Sequence, residues 1–168
     1  PSKNIDTGMG VERMACIMQG TETNYETDLF MPIMKKIEEI CSIPYMGQME
    51  FKVIADHIRT LTFALSDGAV FENVGRGYVL RRASRMGKKL NINREFLSDM
   101  VDVVVENYKD TYPDLVGTKS KVKELIAKEE RLFQRTLLAG EKRLEELFNS
   151  GTKVISGEDA FKLYDTYG

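Results

Sequence analysis

Residues 119–149 read KSKVKELIAKEERLFQRTLLAGEKRLEELFN, and their apolar side chains return every three or four positions. Val122, Ile126, Phe133, Leu137, Leu144 and Phe148 hold one stripe, the arrangement that a helix of 3.6 residues per turn places on a single face. This is the longest element of the chain, and it points to a helical fold. Gly140 lies inside the stripe. A mid-helix glycine costs about 1 kcal/mol against alanine, so another helix is expected to cross closely there. Glu129 and Glu130 interrupt the stripe, and sequence does not name their partners.

The same period runs outward through the chain. Leu29, Phe30, Ile33, Met34, Ile37, Ile40 and Cys41 form one helical face, with Pro32 near the start, where its missing N–H matters least. After a loop around 42–48, a helix over about 51–66 buries Ile54, Ile58, Leu61 and Leu65 and stops near Gly68. A loop through 73–77 leads into a basic helix. Asn93 is the expected N-cap of another, which uses Leu97, Met100, Val101, Val104 and Tyr108 until Tyr112-Pro113-Asp114 breaks it. Ser156-Gly157-Glu158-Asp159 has the capping-box pattern and opens a short last helix. The nine methionines read as core filler. The expected fold is all-α, a bundle-like domain of several helices with a short strand and turn at its N-terminal end. No repeat, low-complexity tract or linker interrupts it.

At 168 residues, 42% hydrophobic and 30% charged, the composition is that of an ordinary soluble globular domain. No apolar run approaches the ~18 residues that span a bilayer. No charged-then-apolar leader precedes Asn4, so a cytoplasmic location is expected. Cys16 and Cys41 are isolated, which argues against a disulfide scaffold or a zinc site. His57 is the only histidine and sits beside the Ile54–Ile58–Leu61 stripe. It reads as a core residue, not a metal ligand or base. Asp56 and Arg59 beside it are expected to form a buried polar cluster that fixes helix packing, and none of the three is assigned catalysis.

A net charge of -2 conceals an asymmetry. Residues 73–94 hold Arg76, Arg81, Arg82, Arg85, Lys88, Lys89 and Arg94 and no acid, which leaves 17 basic and 26 acidic residues elsewhere. At about 100° per residue, Arg81, Arg85, Lys88 and Lys89 cluster on one face with Tyr78 among them and Arg82 at the edge. Val79, Ala83, Met86 and Leu90 lie opposite. A solvated face is the plain reading; an anionic partner is the functional one, favoured by the acid-free stretch and its glycine-hinged entry. Arginine forks suit phosphate oxygens. A membrane-surface helix fits less well, because exposed aromatics are few and the acidic remainder would be repelled by anionic lipid.

The chain opens on Asn4-Ile5-Asp6-Thr7-Gly8-Met9-Gly10-Val11-Glu12-Arg13: a short strand, a glycine turn, and a helix with an arginine in its first turn. The third glycine of a dinucleotide fingerprint would fall at Arg13, and no Walker lysine follows. Taken alone, the segment is a glycine turn before a helix. Its ten residues in order nonetheless resemble the third signature motif of class II aminoacyl-tRNA synthetases, in the form found in the alanyl-tRNA synthetase family. The resemblance continues through Asn24-Tyr25-Glu26-Thr27-Asp28-Leu29-Phe30, Val53-Ile54-Ala55-Asp56-His57-Ile58-Arg59, Gly75-Arg76-Gly77-Tyr78-Val79-Leu80-Arg81-Arg82 and Phe161-Lys162-Leu163-Tyr164-Asp165-Thr166-Tyr167-Gly168. It covers essentially the whole chain.

That resemblance implies a piece of an alanine–tRNA ligase, with residues 1–20 closing the catalytic domain and 21–168 forming a helical tRNA-recognition domain. It implies that Arg13 contacts the γ-phosphate of ATP, that Asp6 meets the α-amino group of alanine, and that Gly8 lets the backbone approach the substrate. A guanidinium at the phosphate end offsets charge that develops as pyrophosphate leaves. The other class II motifs are absent, so the chain alone is expected neither to activate alanine nor to bind ATP tightly; ATP and Mg2+ belong to the whole enzyme. The resemblance also implies that the helical region binds the acceptor stem of alanine tRNA and reads its G·U pair through Asn73 and Asp165. The surface carrying it would be Asn73, Arg76, Tyr78, Arg81, Arg82, Arg85, Lys88, Lys89 and Asp165, with no DNA or membrane partner. An amide and a carboxylate suit the guanine amino group exposed in the minor groove. Asn73→Ala is expected to weaken G·U discrimination, Arg81→Ala to weaken both stems alike. The alternative is a non-catalytic helical module that binds another RNA or an acidic protein through the same basic helix.

Overall fold

The structure, a computed structural model, describes residues 3–4, 7–71, 76–151 and 154–167, with the backbone alone for residue 76 and for 164–167. Among these the chain forms α1 (Val11–Gln19), a 3-10 turn (Asn24–Glu26), α2 (Met31–Cys41), α3 (Met49–Ser66), α4 (Arg76–Lys89), α5 (Leu97–Tyr108), α6 (Asp114–Asn149) and α7 (Gly157–Tyr167), and no strand. The all-α expectation holds. The strand expected at the front includes Ile5 and Asp6, which lie outside the described residues.

Helix α3 occupies the middle of the bundle and packs against α2, α4, α5 and α6. Ile54, Ile58, Leu61 and Leu65 face the core as their spacing predicts, and Phe51, Ala55 and Thr62 widen the buried face. Thr62 keeps this face satisfied by donating its hydroxyl to the Ile58 carbonyl at 2.8 Å. The helix stops at Ser66, and Gly68 takes the positive φ of 89° that a side chain resists. Pro32 is the second residue of α2, where no intrahelical donor is lost, and Ile33, Met34 and Ile37 turn inward. Each such side chain, once fully buried, contributes about 1.5–3 kcal/mol.

Three expectations change in the structure. Helix α6 begins at Asp114, directly after Pro113, and runs 36 residues, about 54 Å at 1.5 Å per residue. It outruns the bundle: Val122, Ile126 and Phe133 are buried, but Leu132, Leu138 and Phe148 are exposed. Only Met34 and Met100 among the methionines are core residues, while Met9, Met14, Met18, Met46 and Met49 are exposed. Three of these lie on or next to α1, which has no buried residue at all. Asn93 does not cap α5. That helix starts at Leu97 with no side-chain cap of its own, and the carboxylate of Glu130, across on α6, accepts from the N–H groups of Phe96 (3.2 Å) and Leu97 (3.1 Å).

The capping expectation holds: Ser156 accepts the Asp159 N–H at 3.1 Å at the start of α7. Gly140 is buried in α6. Helix α4 comes against Phe96, the residue before α5, at a glycine. A Cβ on Gly87 would lie 2.6 Å from Cζ of the buried Phe96 ring. Gly87→Ala is therefore expected to destabilise the chain by about 1–3 kcal/mol through overpacking, despite alanine's better helix propensity, and chemical denaturation checks it.

Candidate functional site

Two places bring the sequence-identified residues together. The first is the outer face of α4. Gly77, Leu80, Ala83, Ser84 and Gly87 turn inward, so the helix is rotated slightly from the expected orientation and Val79 and Met86 are only half-buried. Tyr78, Arg82 and Lys89 stand out in solvent, and no described residue pairs with either cation. Arg81 and Arg85 are half-buried; the Arg85 guanidinium sits 5.2 Å from the centroid of the Phe133 ring on α6. Lys88 reaches Glu141 in a solvent-exposed pair, a contact worth about 0–1 kcal/mol, so an incoming anion can displace it. The acid-free helix thus presents cations and one aromatic outward. Asn73 and the side chains of Arg76 and Asp165 lie outside the described residues; the backbone at Asp165 belongs to α7.

The second place is a cavity of about 410 Å³ between α1, the 3-10 turn and α3, lined by Gly10, Glu12, Arg13, Asn24, Tyr25, Phe30, Asp56 and Arg59. Arg13 stands exposed on its rim, in the first turn of α1. Gly8, just before the helix, has open space where a Cβ would stand, so the fold itself does not demand a glycine there. The opposite wall is stiff. Glu26 closes a capping box on Thr23 and accepts the Tyr45 hydroxyl at 2.7 Å. Burial, and then the Glu26 carboxylate, push the Tyr45 phenol above its ordinary value.

Arg59 holds the cavity floor. Its guanidinium lies 4.5 Å from the centroid of the Phe30 ring, donates to the Tyr108 hydroxyl at 3.5 Å and pairs with Glu12. Asp56 Oδ1 is 3.7 Å away. The His57 ring nitrogen, and beyond it Arg59, keep Asp56 below the ordinary carboxylate value although burial opposes them. Asp56 and Arg59 do form a polar cluster, but it is half-buried at the cavity and not buried as expected, and His57 packs beside it with Nε2 buried and unpartnered. Glu12, Asn24, Tyr25 and Phe30 joined this site only in three dimensions, because 47 residues separate Glu12 from Arg59. Among the described residues no group of three or more His, Cys, Asp or Glu side chains is placed to hold a metal ion.

The family described as tRNA synthetases class II (A) matches residues 1–168, the entire chain. The chain belongs to the class II (A) tRNA synthetases. Within that family it is 53% identical to the alanine–tRNA ligase of Acholeplasma laidlawii, 51% to that of Bacillus mycoides and 49% to that of Lactococcus lactis. In each case the whole chain is covered, but only 20%, 21% and 20% of the relative. This synthetase chain therefore spans about a fifth of the length of those ligases, and it corresponds to a segment of an alanyl-tRNA synthetase. No helix among its described residues is long and apolar enough to cross a membrane.

Proposed function

We propose that the chain serves an alanine–tRNA ligase, which joins alanine to its tRNA at the expense of ATP, and that this segment recognises the tRNA acceptor stem. The observation that carries the reading is the outward cationic face of α4, with Tyr78, Arg82 and Lys89 exposed on a chain matched throughout to alanine–tRNA ligases. Double-helical RNA is gripped mainly through its backbone and shallow minor groove, for which a helix carrying forked and point cations is suited. Asn73, five residues before Tyr78 in the sequence, and Asp165 are the residues assigned to the G·U pair.

Residues 1–20 close the catalytic domain and 21–168 form the recognition domain in this reading; Gly20, with φ 64°, ends α1 at that boundary. Arg13 takes the phosphate end of ATP, Asp6 the ammonium of alanine, and Gly8 leaves room for the substrate. A carboxylate fixed on the ammonium aims alanine's own carboxylate at the α-phosphate, and the gain is one of orientation. The guanidinium meets charge that builds on the departing pyrophosphate. Mg2+ accompanies ATP in the whole enzyme, and the described residues offer it no cluster of their own. The cytoplasm is the proposed location.

The test is a substitution that separates reading from gripping. In the full-length protein, Asn73→Ala is expected to raise charging of a G·C stem relative to G·U by about tenfold, the 1–3 kcal/mol of a lost base contact. Arg82→Ala is expected to lower both equally. Equal losses for the two stems with Asn73→Ala would sink the assignment.

A further inference from the structure

We propose that Glu130 is a positioning residue for Lys89, acting from inside the bundle through Phe96 on the last turn of α4. The inference rests on the acceptor-stem reading above and names the buried group that sets the pose of that surface.

The C-terminal end of α4 closes in a Schellman motif. The Ile92 N–H donates to the Gly87 carbonyl at 3.0 Å, the Asn91 N–H donates to the Lys88 carbonyl at 3.0 Å, and Asn91 takes the left-handed φ of 60°. In such a close the residue that stands here at Gly87 commonly adds an apolar contact of its own. Gly87 has no side chain to offer, and the Phe96 ring fills the space: a Cβ on Gly87 would lie 2.6 Å from Cζ of the ring. Lys88 and Lys89 lie between Gly87 and the turn. The ring therefore sets where the last turn stands, and Lys89 with it.

Phe96 is placed in turn by Glu130. It precedes α5 and makes no side-chain cap bond there. The Glu130 carboxylate, on α6, accepts its N–H at 3.2 Å and that of Leu97 at 3.1 Å. Glu130, Phe96 and Gly87 are all buried, so no link of this chain is open to solvent. The neighbouring Glu95 turns instead to Arg131. Helix α3 carries the body of α4, and Arg82 lies five residues before Gly87, more than one turn from the contact. The coupling is thus local to the lysine end of the helix.

Salt titrations of an acceptor-stem duplex with the full-length protein test it. Lys89→Ala removes one phosphate contact and should lower affinity about threefold at low salt and flatten the salt slope by about one unit. Glu130→Ala, with its fold verified by circular dichroism, should reproduce both effects from the interior. Glu130→Gln keeps an oxygen for the two donors and should restore most of the loss. A residue that acts through Lys89 has nothing to place once Lys89 is gone, so the double variant Lys89→Ala with Glu130→Ala should bind as Lys89→Ala does alone. A merely structural role lowers the folded fraction but leaves the slope of the folded protein unchanged. Phe96→Leu keeps both N–H groups and withdraws the ring from Gly87; it should flatten the slope likewise, and it decides if Glu130→Ala does not fold. A wild-type slope in folded Glu130→Ala or in Phe96→Leu, or fully additive losses in the double variant, overturns the proposal. A wild-type protein that does not bind the stem overturns instead the reading on which it stands.

Discussion

Replacing Glu130 with alanine is expected to lower the stability of the folded chain by about 3 kcal/mol, because two backbone donors at the start of α5 lose their acceptor inside the protein. Glu130 is fully buried, and its carboxylate takes the N–H groups of Phe96 and Leu97, at the positive end of the α5 dipole. Among the described residues no other group caps that helix: Phe96 makes no side-chain cap bond and Asn93 is exposed. Urea denaturation of the wild-type and alanine forms at pH 7 measures the loss. Glu130→Gln retains an oxygen for the same donors and should forfeit much less.

The same residue gives stability a pH dependence of unusual sign for a carboxyl. Burial pushes the Glu130 carboxyl up to about 7, against the two backbone bonds that favour its charge. Between its ordinary value of 4.5 and about 7 the folded chain therefore holds a proton that the unfolded chain releases. Stability contributed by this group is present below that window, falls as pH rises through it, and is level above it; the drop is on the order of 3 kcal/mol. Glu95 and Asp99 add to the upward push, tempered by their pairing with Arg131 and Arg94. Asp56, Asp102 and Glu12, all held below their ordinary values, act in the opposite sense at lower pH. Their contribution is lost as pH falls into and below the acid range. The chain should thus be most stable near the lower edge of the Glu130 window, and Glu130→Gln should abolish the decline above it. A wild-type thermal midpoint that rises steadily from pH 5 to pH 8 contradicts this.

Removing both outward cations of α4, Arg82→Ala with Lys89→Ala, is expected to weaken acceptor-stem binding by at least tenfold at low salt. Each cation that neutralises a phosphate steepens the fall of affinity with salt by about one unit of slope, so the double variant should flatten that slope by about two. The effect should not depend on whether the stem carries G·U or G·C, because phosphate contacts carry no sequence information. Neither cation has a described partner in the fold, so stability should change little. Titrations at several salt concentrations separate this outcome from a general loss of structure. An unchanged slope would remove α4 from the interface.

The helices were legible because their signal is local. A stripe at three and four in α2, α3 and α6 needs no knowledge of partners, and the Ser156 cap is written within four residues. What escaped is non-local. Glu130 looked like a flaw in the α6 stripe because its two donors lie more than thirty residues away at the start of α5. Gly87 gave no sign that Phe96 would press against it. The α4 face was read correctly as cationic, yet periodicity could not show that Arg85 and Lys88 would lean on α6 while Arg82 and Lys89 would not. The α1 cavity was half visible: Arg13 announced itself through the opening motif, and Asp56 and Arg59 through their polarity beside an apolar stripe. Glu12 as the bridge between them required the fold.

The proposed role of the α4 surface and its flanks is to recognise an acceptor stem and distinguish its G·U pair. Titrating the chain with two acceptor-stem duplexes that differ only at that pair, across a range of salt, tests it most directly. Binding to both should be salt-dependent, with the G·U duplex bound more tightly by about tenfold, the 1–3 kcal/mol of one base-edge contact. Equal affinity for the two duplexes at every salt concentration would contradict it.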